Sequence, residues 1–406
     1  MFSQRTAWDL RANRLARLLA AKRGRGEAVL DLTESNPTQV GLPYPADLLA
    51  PLAHPASLRY EPSPFGLPAA REAVAADFGR RGFPLEPERI VLTAATSEAY
   101  AFLFKLLCDP GDEVLVPRPG YPLFEFLAGL ESIRVRSYPL VHDGEWHLDL
   151  AAVREPTYPL YAIASALEGA EVVREPESGD VVWICNPGNP TGAFIKRAER
   201  DGLEALCAER GLALVSDEVF ADYAFAEDPR RASSLARDGP ALAFSLGGLS
   251  KSCGLPQLKL AWIALTGPEA ARTEARRRLE VVADTYLSVA TPIQGAATEL
   301  LARREELQSP IRLRTAANLA LLRTRLAGGS PATLLDPEGG WYAVLRVPAT
   351  RSEDERVAGL LEHRNVLVHP GYFFDFPHEA FLVVSLLPTP ESFAEGVKRL
   401  LQDLVL

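Results

Sequence analysis

Short apolar runs alternating with amphipathic segments constrain this chain more than any other feature. RIVLTAA, EVLVPRP, DVVWICN, ALVSDEV and ALAFSLG are separated by patterns such as RAERDGLEALCAERG. Each run has the length of a strand and each separator the 3.6-residue apolar spacing of a helix, which predicts βαβ units around a mostly parallel sheet, an α/β fold. Ligands of open α/β sheets bind outside the carboxyl ends of the strands. The residues that close each run are therefore the candidates for chemistry.

After Trp262 the pattern changes to long Arg- and Glu-rich helices, with breaks expected near Thr291-Pro292 and Ser309-Pro310 and one helix over 311–327. From about Thr333 a smaller α+β pattern follows, with GGWYAVLRVP and AFLVVSLLP as strands. At 406 residues the chain exceeds what one core usually supports. The expected division is a large domain at 46–305 and a small one built from both chain ends, 1–45 and 306–406.

A net charge of -10 argues against affinity for nucleic acid or anionic lipid, because both need clustered positive charge. Cys108, Cys185, Cys207 and Cys253 form no CxxC pair and stand with no clustered histidines, so neither disulfides nor a metal site is expected. The N-terminal stretch carries arginines throughout and lacks a signal peptide's apolar run. No segment of about 18 apolar residues occurs elsewhere. A cytoplasmic protein with no membrane contact, acting on small molecules, is the expectation.

Five stretches carry the chemistry, and each also has an ordinary structural explanation. In LSKSCGLPQLKLAW, a strand-like run passes through Gly247 and Gly248 to Lys251. A lysine at a strand's edge among apolar neighbours has its ammonium form disfavoured, which frees the amine to form a Schiff base; a solvated surface lysine is the alternative. Asp217 closes ALVSD and suits either a helix cap or a partner for a pyridine nitrogen, which makes the ring an electron sink. CNPGNPTG, residues 185–192, forms a turn in any fold, and its asparagine can also donate to an anionic phenolic oxygen without adding charge. Thr96 and Ser97 open an apolar-faced helix whose first-turn amides suit a phosphate as well as an ordinary cap. Tyr121, in PRPGYP, either packs on its own domain or stacks on a heteroaromatic ring.

Taken together and in this order, these stretches resemble the class I/II aminotransferases, the fold-type I family dependent on pyridoxal 5'-phosphate, from about Asp31 to Leu401. The resemblance rests on NPGNPTG, on Ser216-Asp217-Glu218, and on Ser250-Lys251 followed by Gly254-Leu255-Pro256. It implies that Lys251 carries the cofactor as a Schiff base and shuttles the proton. It further implies that Asp217 partners the ring nitrogen, Asn189 the phenolic oxygen, Tyr121 the ring face, and Thr96 and Ser97 the phosphate. Tyr60 resembles the tyrosine that reaches the neighbouring subunit's phosphate, though its spacing to Gly66 is one residue longer than usual. A homodimer with shared active sites follows from that match.

The chain also departs from the pattern. Lys259 stands where an arginine usually forks onto the phosphate, a contact a lysine cannot reproduce. Phe220 replaces a tyrosine that donates to the phenolic oxygen, and Tyr223 is the candidate to supply the missing hydroxyl. Val383 replaces the arginine that clamps the substrate's α-carboxylate, and Ser35 a glycine that offers its amide to the same group. The implied activity is an aminotransferase moving an amino group between an amino acid or related amine, as donor, and a 2-oxo acid, as acceptor, by ping-pong half-reactions. A pyridoxal-phosphate lyase or decarboxylase of the β-elimination type on the same fold is the alternative. A nicotinamide enzyme is disfavoured because no GxGxxG follows an early strand.

Overall fold

The computed structural model of the protein describes residues 2–154, 181–287 and 289–405. Its strands run, in chain order, as β1 (Leu30–Asp31), β2 (Ile90–Thr93), β3 (Glu113–Arg118), β4 (Arg134–His142), β5 (Trp146–Leu148), β6 (Val181–Cys185) and β7 (Ala213–Asp217). They continue with β8 (Ala243–Gly248), β9 (Ala261–Thr266), β10 (Thr333–Leu335), β11 (Tyr342–Arg346), β12 (Val366–Leu367), β13 (His369–Pro370) and β14 (Phe381–Ser385). Among the described residues they form an eight-stranded sheet of order β2-β9-β8-β7-β6-β3-β4-β5, a four-stranded sheet of order β10-β11-β14-β13, and the pair β1-β12. The fold is mixed α/β, with β8, β7, β6, β3 and β4 parallel and β9 and β5 running the other way.

The central strands are apolar on both faces because helices cover both. Val181 and Trp183 of β6 join a cluster with Ala99, Leu103 and Phe104 of the helix Thr96–Leu107 and with Leu279 of the helix Glu269–Tyr286. Val182 and Ile184, one residue out of step, meet Leu203, Leu206 and Cys207 of the helix Arg197–Arg210 on the opposite face. Alternate side chains thus feed two cores, as the two-residue period of a strand requires. At the end of β8 a Cβ on Gly247 would lie 2.5 Å from the Trp262 indole nitrogen, so glycine is what lets the strand pass this ring.

The small sheet repeats the arrangement. Leu382 and Val384 pack with Val357, Leu360, Phe393 and Val397, while Phe381 and Val383 face Trp146, Val344, Phe374 and Phe376. The break near Thr291-Pro292 separates the helices Glu269–Tyr286 and Thr291–Ala302. The break expected at Ser309-Pro310 is absent: one helix runs Arg304–Leu326 through Pro310. Its buried face, including Leu307, Gln308, Ile311 and Thr315, is held on both sides of the proline, and this packing outweighs the lost backbone hydrogen bond.

Candidate active site

The carboxyl ends of β3, β6, β7 and β8 point to one edge, and β2 shares their direction because it is antiparallel to β9, itself antiparallel to β8. The turns leaving these five strands bring Tyr121, Asn189, Asp217, Lys251 and Thr96 around a single cavity of about 230 Å³. Ser35 and Tyr342 close it from the other side, and the Tyr342 hydroxyl is hydrogen-bonded to Ser35. Five motif residues that were separate in the sequence thus converge, at the crevice where α/β sheets bind ligands.

Lys251 lies on the four-residue helix Leu249–Ser252 directly after β8. Its Nζ is 5.0 Å from the ring centroid of Trp341 and 5.6 Å from that of Phe220. Burial lowers its pKa below the usual lysine value, against the opposing pull of the Asp217 charge. The Tyr223 hydroxyl donates to the Lys251 carbonyl oxygen at 2.6 Å. It is therefore engaged on the backbone, and Tyr223 does not stand on the cavity wall in the place of the hydroxyl that Phe220 lacks.

Asp217 is held by two hydrogen bonds. One carboxylate oxygen accepts the Val219 N–H at 3.1 Å, a local turn contact, while the other accepts the Tyr100 hydroxyl at 2.8 Å. Burial raises its pKa, with those two hydrogen bonds and Lys251 opposing. A buried carboxylate with two neutral donors is short of a cation, and a protonated ring nitrogen supplies one. Asn189 lines the cavity, and its Oδ1 is buried without a hydrogen-bond partner among the described residues. The Tyr121 hydroxyl is pushed up to about 12, mainly by burial and then by the Asp217 charge. These groups fit pyridoxal phosphate: an acid for its nitrogen, an amide for its oxygen, an aromatic face and an amine.

The phosphate end is built differently. Ala95 caps the helix Thr96–Leu107 without a side-chain hydrogen bond, and since the Glu98 N–H turns back to the Ala95 carbonyl at 3.1 Å, the Thr96 and Ser97 amides are the ones left for an anion. Glu98 in that turn accepts the Ala94 N–H at 2.6 Å. Ser97 and Lys259 do not line the cavity. Lys259 is exposed, in a left-handed conformation with φ 52°, two residues before Ala261. Ala261 pairs with both Thr93 and Gly248, so Lys259 stands at the same sheet edge between the Thr96 and Lys251 turns. Tyr60 is 68% exposed and is absent from the lining. Val383 is fully buried in its apolar cluster, shut off from the cavity.

The family model described as "Aminotransferase class I and II" matches residues 52–400. The chain belongs to this family. This aminotransferase therefore depends on pyridoxal phosphate and transfers amino groups. Human tyrosine aminotransferase is 26% identical over 337 residues, which cover 80% of this chain and 69% of that protein. An S-alkyl-thiohydroximate lyase from Arabidopsis thaliana is 29% identical over 246 residues, 59% of this chain and 49% of the lyase. The solved structure of an alanine aminotransferase from Pyrococcus furiosus has a TM-score of 0.82 at 22% identity, covering 97% of this chain and 99% of that one. Among the described residues no helix is long and apolar enough to cross a membrane.

Sequence reasoning missed Tyr100, Trp341 and Tyr342. Tyr100 follows Thr96 by one helical turn, so a helix beginning at Thr96 predicts that both lie on one face. Trp341 and Tyr342 sit beside the site only because β11 pairs with β14 in the other sheet, a relation no local pattern carries.

Proposed function

We propose that Lys251 carries the cofactor and moves the proton in this aminotransferase, with Asp217 on the ring nitrogen, Asn189 on the phenolic oxygen and Tyr121 on the ring face. The observation that carries this is the gathering of Lys251, Asp217, Asn189, Tyr121 and Thr96 around one cavity. Thr96, Ser97 and the adjoining amides hold the phosphate, and Lys259 adds charge from the sheet edge.

Bound there, pyridoxal phosphate supplies an electron sink that lets the substrate's α-proton leave. The Lys251 amine, whose neutral form burial makes easier to reach than in water, would take that proton from the substrate's α-carbon and pass it to the cofactor carbon that bears the imine nitrogen, the C–N bond being broken only afterwards by water. Asp217 stays anionic once a cation faces it, and Tyr100 fixes its orientation. Val219, Phe220 and Tyr342 limit water around the amine. The substrates are an amino donor and a 2-oxo acid acceptor. With Val383 closed off, Ser35 and Tyr342 present hydroxyls rather than a guanidinium at the cavity wall.

We further infer a homodimer, supported by the exposure of Tyr60, whose ring is free to reach a second subunit's phosphate. A large domain over 46–305, part of which lies outside the described residues, and a small one over 1–45 and 306–406 are proposed with it. Among the described residues no cysteine is in a disulfide, which suits a reducing cytosol.

The test is to reconstitute the purified protein with pyridoxal phosphate, reduce it with borohydride and sequence the labelled peptide. A panel of amino acids and amines is then followed for pyridoxamine phosphate. The label belongs on Lys251, and donors yield pyridoxamine phosphate. Ammonia or carbon dioxide without it would favour the lyase reading, which the similarity to the S-alkyl-thiohydroximate lyase keeps open.

A further inference from the structure

The assignment of Lys251 as the cofactor lysine is the reading on which this inference rests. We propose that Tyr223 and Trp341 are positioning residues that hold Lys251 at both ends, Tyr223 through its carbonyl and Trp341 through its amine.

The three side chains make a closed circuit. The Tyr223 hydroxyl meets the Lys251 carbonyl at 2.6 Å. The Tyr223 ring meets the Trp341 ring edge-on at 5.1 Å, and the Trp341 ring faces Lys251 Nζ at 5.0 Å. Tyr223 is 1% exposed and Trp341 fully buried, so neither ring has room to turn away. Their backbones are also joined: Gly340 N–H donates to the Tyr223 carbonyl at 2.9 Å, and Phe225 N–H to the Glu338 carbonyl at 2.9 Å. Trp341 in turn accepts the Leu386 N–H at 2.7 Å, which ties it to the small sheet.

Two details separate positioning from mere packing. The turn that carries Lys251 receives two more side-chain donors, Gln308 Nε2 to the Ser252 carbonyl and Tyr44 Oη to the Gly254 carbonyl, each at 2.7 Å. Neither belongs to the circuit through the amine. In addition, the Trp341 indole N–H is buried with no hydrogen-bond partner among the described residues, as are those of Trp146, Trp183 and Trp262, and of these four rings it is Trp341 that faces the Lys251 amine. An orphaned donor destabilises the fold, and a phenylalanine would avoid it. What tryptophan adds over phenylalanine is the stronger negative face presented to a cationic amine. The lysine must receive and release a proton, and this ring stabilises its charged form while its carbonyl is held still.

Three variants test the proposal: Tyr223→Phe, Trp341→Phe, and Tyr44→Phe, which removes a comparable hydroxyl from the same turn. Each is reconstituted and followed for thermal unfolding, for the half-reaction with protonated and α-deuterated donor, and for the pH dependence of borohydride trapping of pyridoxal phosphate on the Lys251 peptide. Tyr223→Phe is expected to slow the half-reaction by about tenfold with KM within twofold, and to enlarge the deuterium effect. Trp341→Phe is expected to be at least as stable as wild type, with the trapping profile displaced toward acid by about half a pH unit. Tyr44→Phe is expected to lose stability while keeping the wild-type rate and deuterium effect.

A Tyr223→Phe protein with wild-type rate and deuterium effect, or a Tyr44→Phe protein that matches it, would overturn the positioning role. So would a Trp341→Phe protein that is less stable with an unmoved profile, and this variant decides the matter if Tyr223→Phe does not fold. A wild-type protein that takes no label on Lys251 would instead remove the functional reading beneath.

Discussion

The Tyr100 hydroxyl donates to the Asp217 carboxylate at 2.8 Å, and both side chains are buried. Tyr100 is stacked on Trp183 at 5.1 Å, so the donor is fixed by aromatic packing on the helix that also opens the phosphate end of the site. The hydrogen bond lowers the Asp217 pKa against the opposite effect of burial. Tyr100→Phe keeps the stacking and removes only the donor, at a cost of about 1.5–3 kcal/mol for a bond to a charged group. The cofactor's dissociation constant should rise roughly tenfold, and the pH below which cofactor is released should move up. Fluorescence titrations at several pH values check this, and unchanged affinity throughout would contradict it.

Phe220 lines the cavity with its ring centroid 5.6 Å from the Lys251 amine, at the position where the proposed cofactor site lacks a hydroxyl for the phenolic oxygen. Phe220→Tyr should stabilise that anionic oxygen and weaken the hold of the lysine-linked nitrogen on its proton. The colour titration of the holoenzyme should shift toward acid by about one pH unit. An unmoved titration would show that the added hydroxyl finds another partner.

Val383→Arg does not restore a carboxylate clamp, because the side chain at this position enters a closed apolar cluster with Trp146, Phe374, Phe376 and Phe381. A guanidinium there is buried without a partner, and about 3–5 kcal/mol of stability should be lost. Urea unfolding measures this. A stable variant with a lowered KM for amino acids would mean that the cluster opens to the site.

His369 on β13 is stacked on Phe373 with ring centroids 5.1 Å apart, and burial depresses its pKa from 6.5 to about 4. The folded protein holds this ring neutral while the unfolded chain protonates it first as pH falls. Its contribution is therefore fully present above about pH 6.5 and is lost as pH falls toward 4, with an upper bound of about 3 kcal/mol. His369→Phe keeps the stack and should lack that part of the acid destabilisation. Urea unfolding of both proteins at pH 7 and about pH 4.5 compares them, and equal acid losses would assign the effect to carboxylates.

The strand-closing residues were legible because one local pattern, an apolar run followed by a polar turn, fixes both the element and the edge it ends on. Lys251, Asp217, Asn189, Tyr121 and Thr96 all obey it. Tyr223 shows the limit. Its hydroxyl looked available to replace the one missing from Phe220, yet it is engaged on the Lys251 carbonyl, and that direction depends on the path of the turn after β7. Val383 departs visibly from the family pattern, but its enclosure among aromatics from β5 and the 371–376 segment is set by pairing between distant strands. The local preference of Pro310 for a helix break is overridden by the buried face of its helix.

Strand β1 pairs in parallel with β12, Leu30 beside Val366, and the Leu32 carbonyl accepts the N–H of Ser385. During synthesis on the ribosome the first of these segments emerges long before either partner exists. Its backbone groups lack these partners until residues 366–385 have been made, while the strands of the large sheet can already assemble. The small sheet is thus a late event in the life of each molecule, and Trp341 reaches Lys251 only when that event is complete.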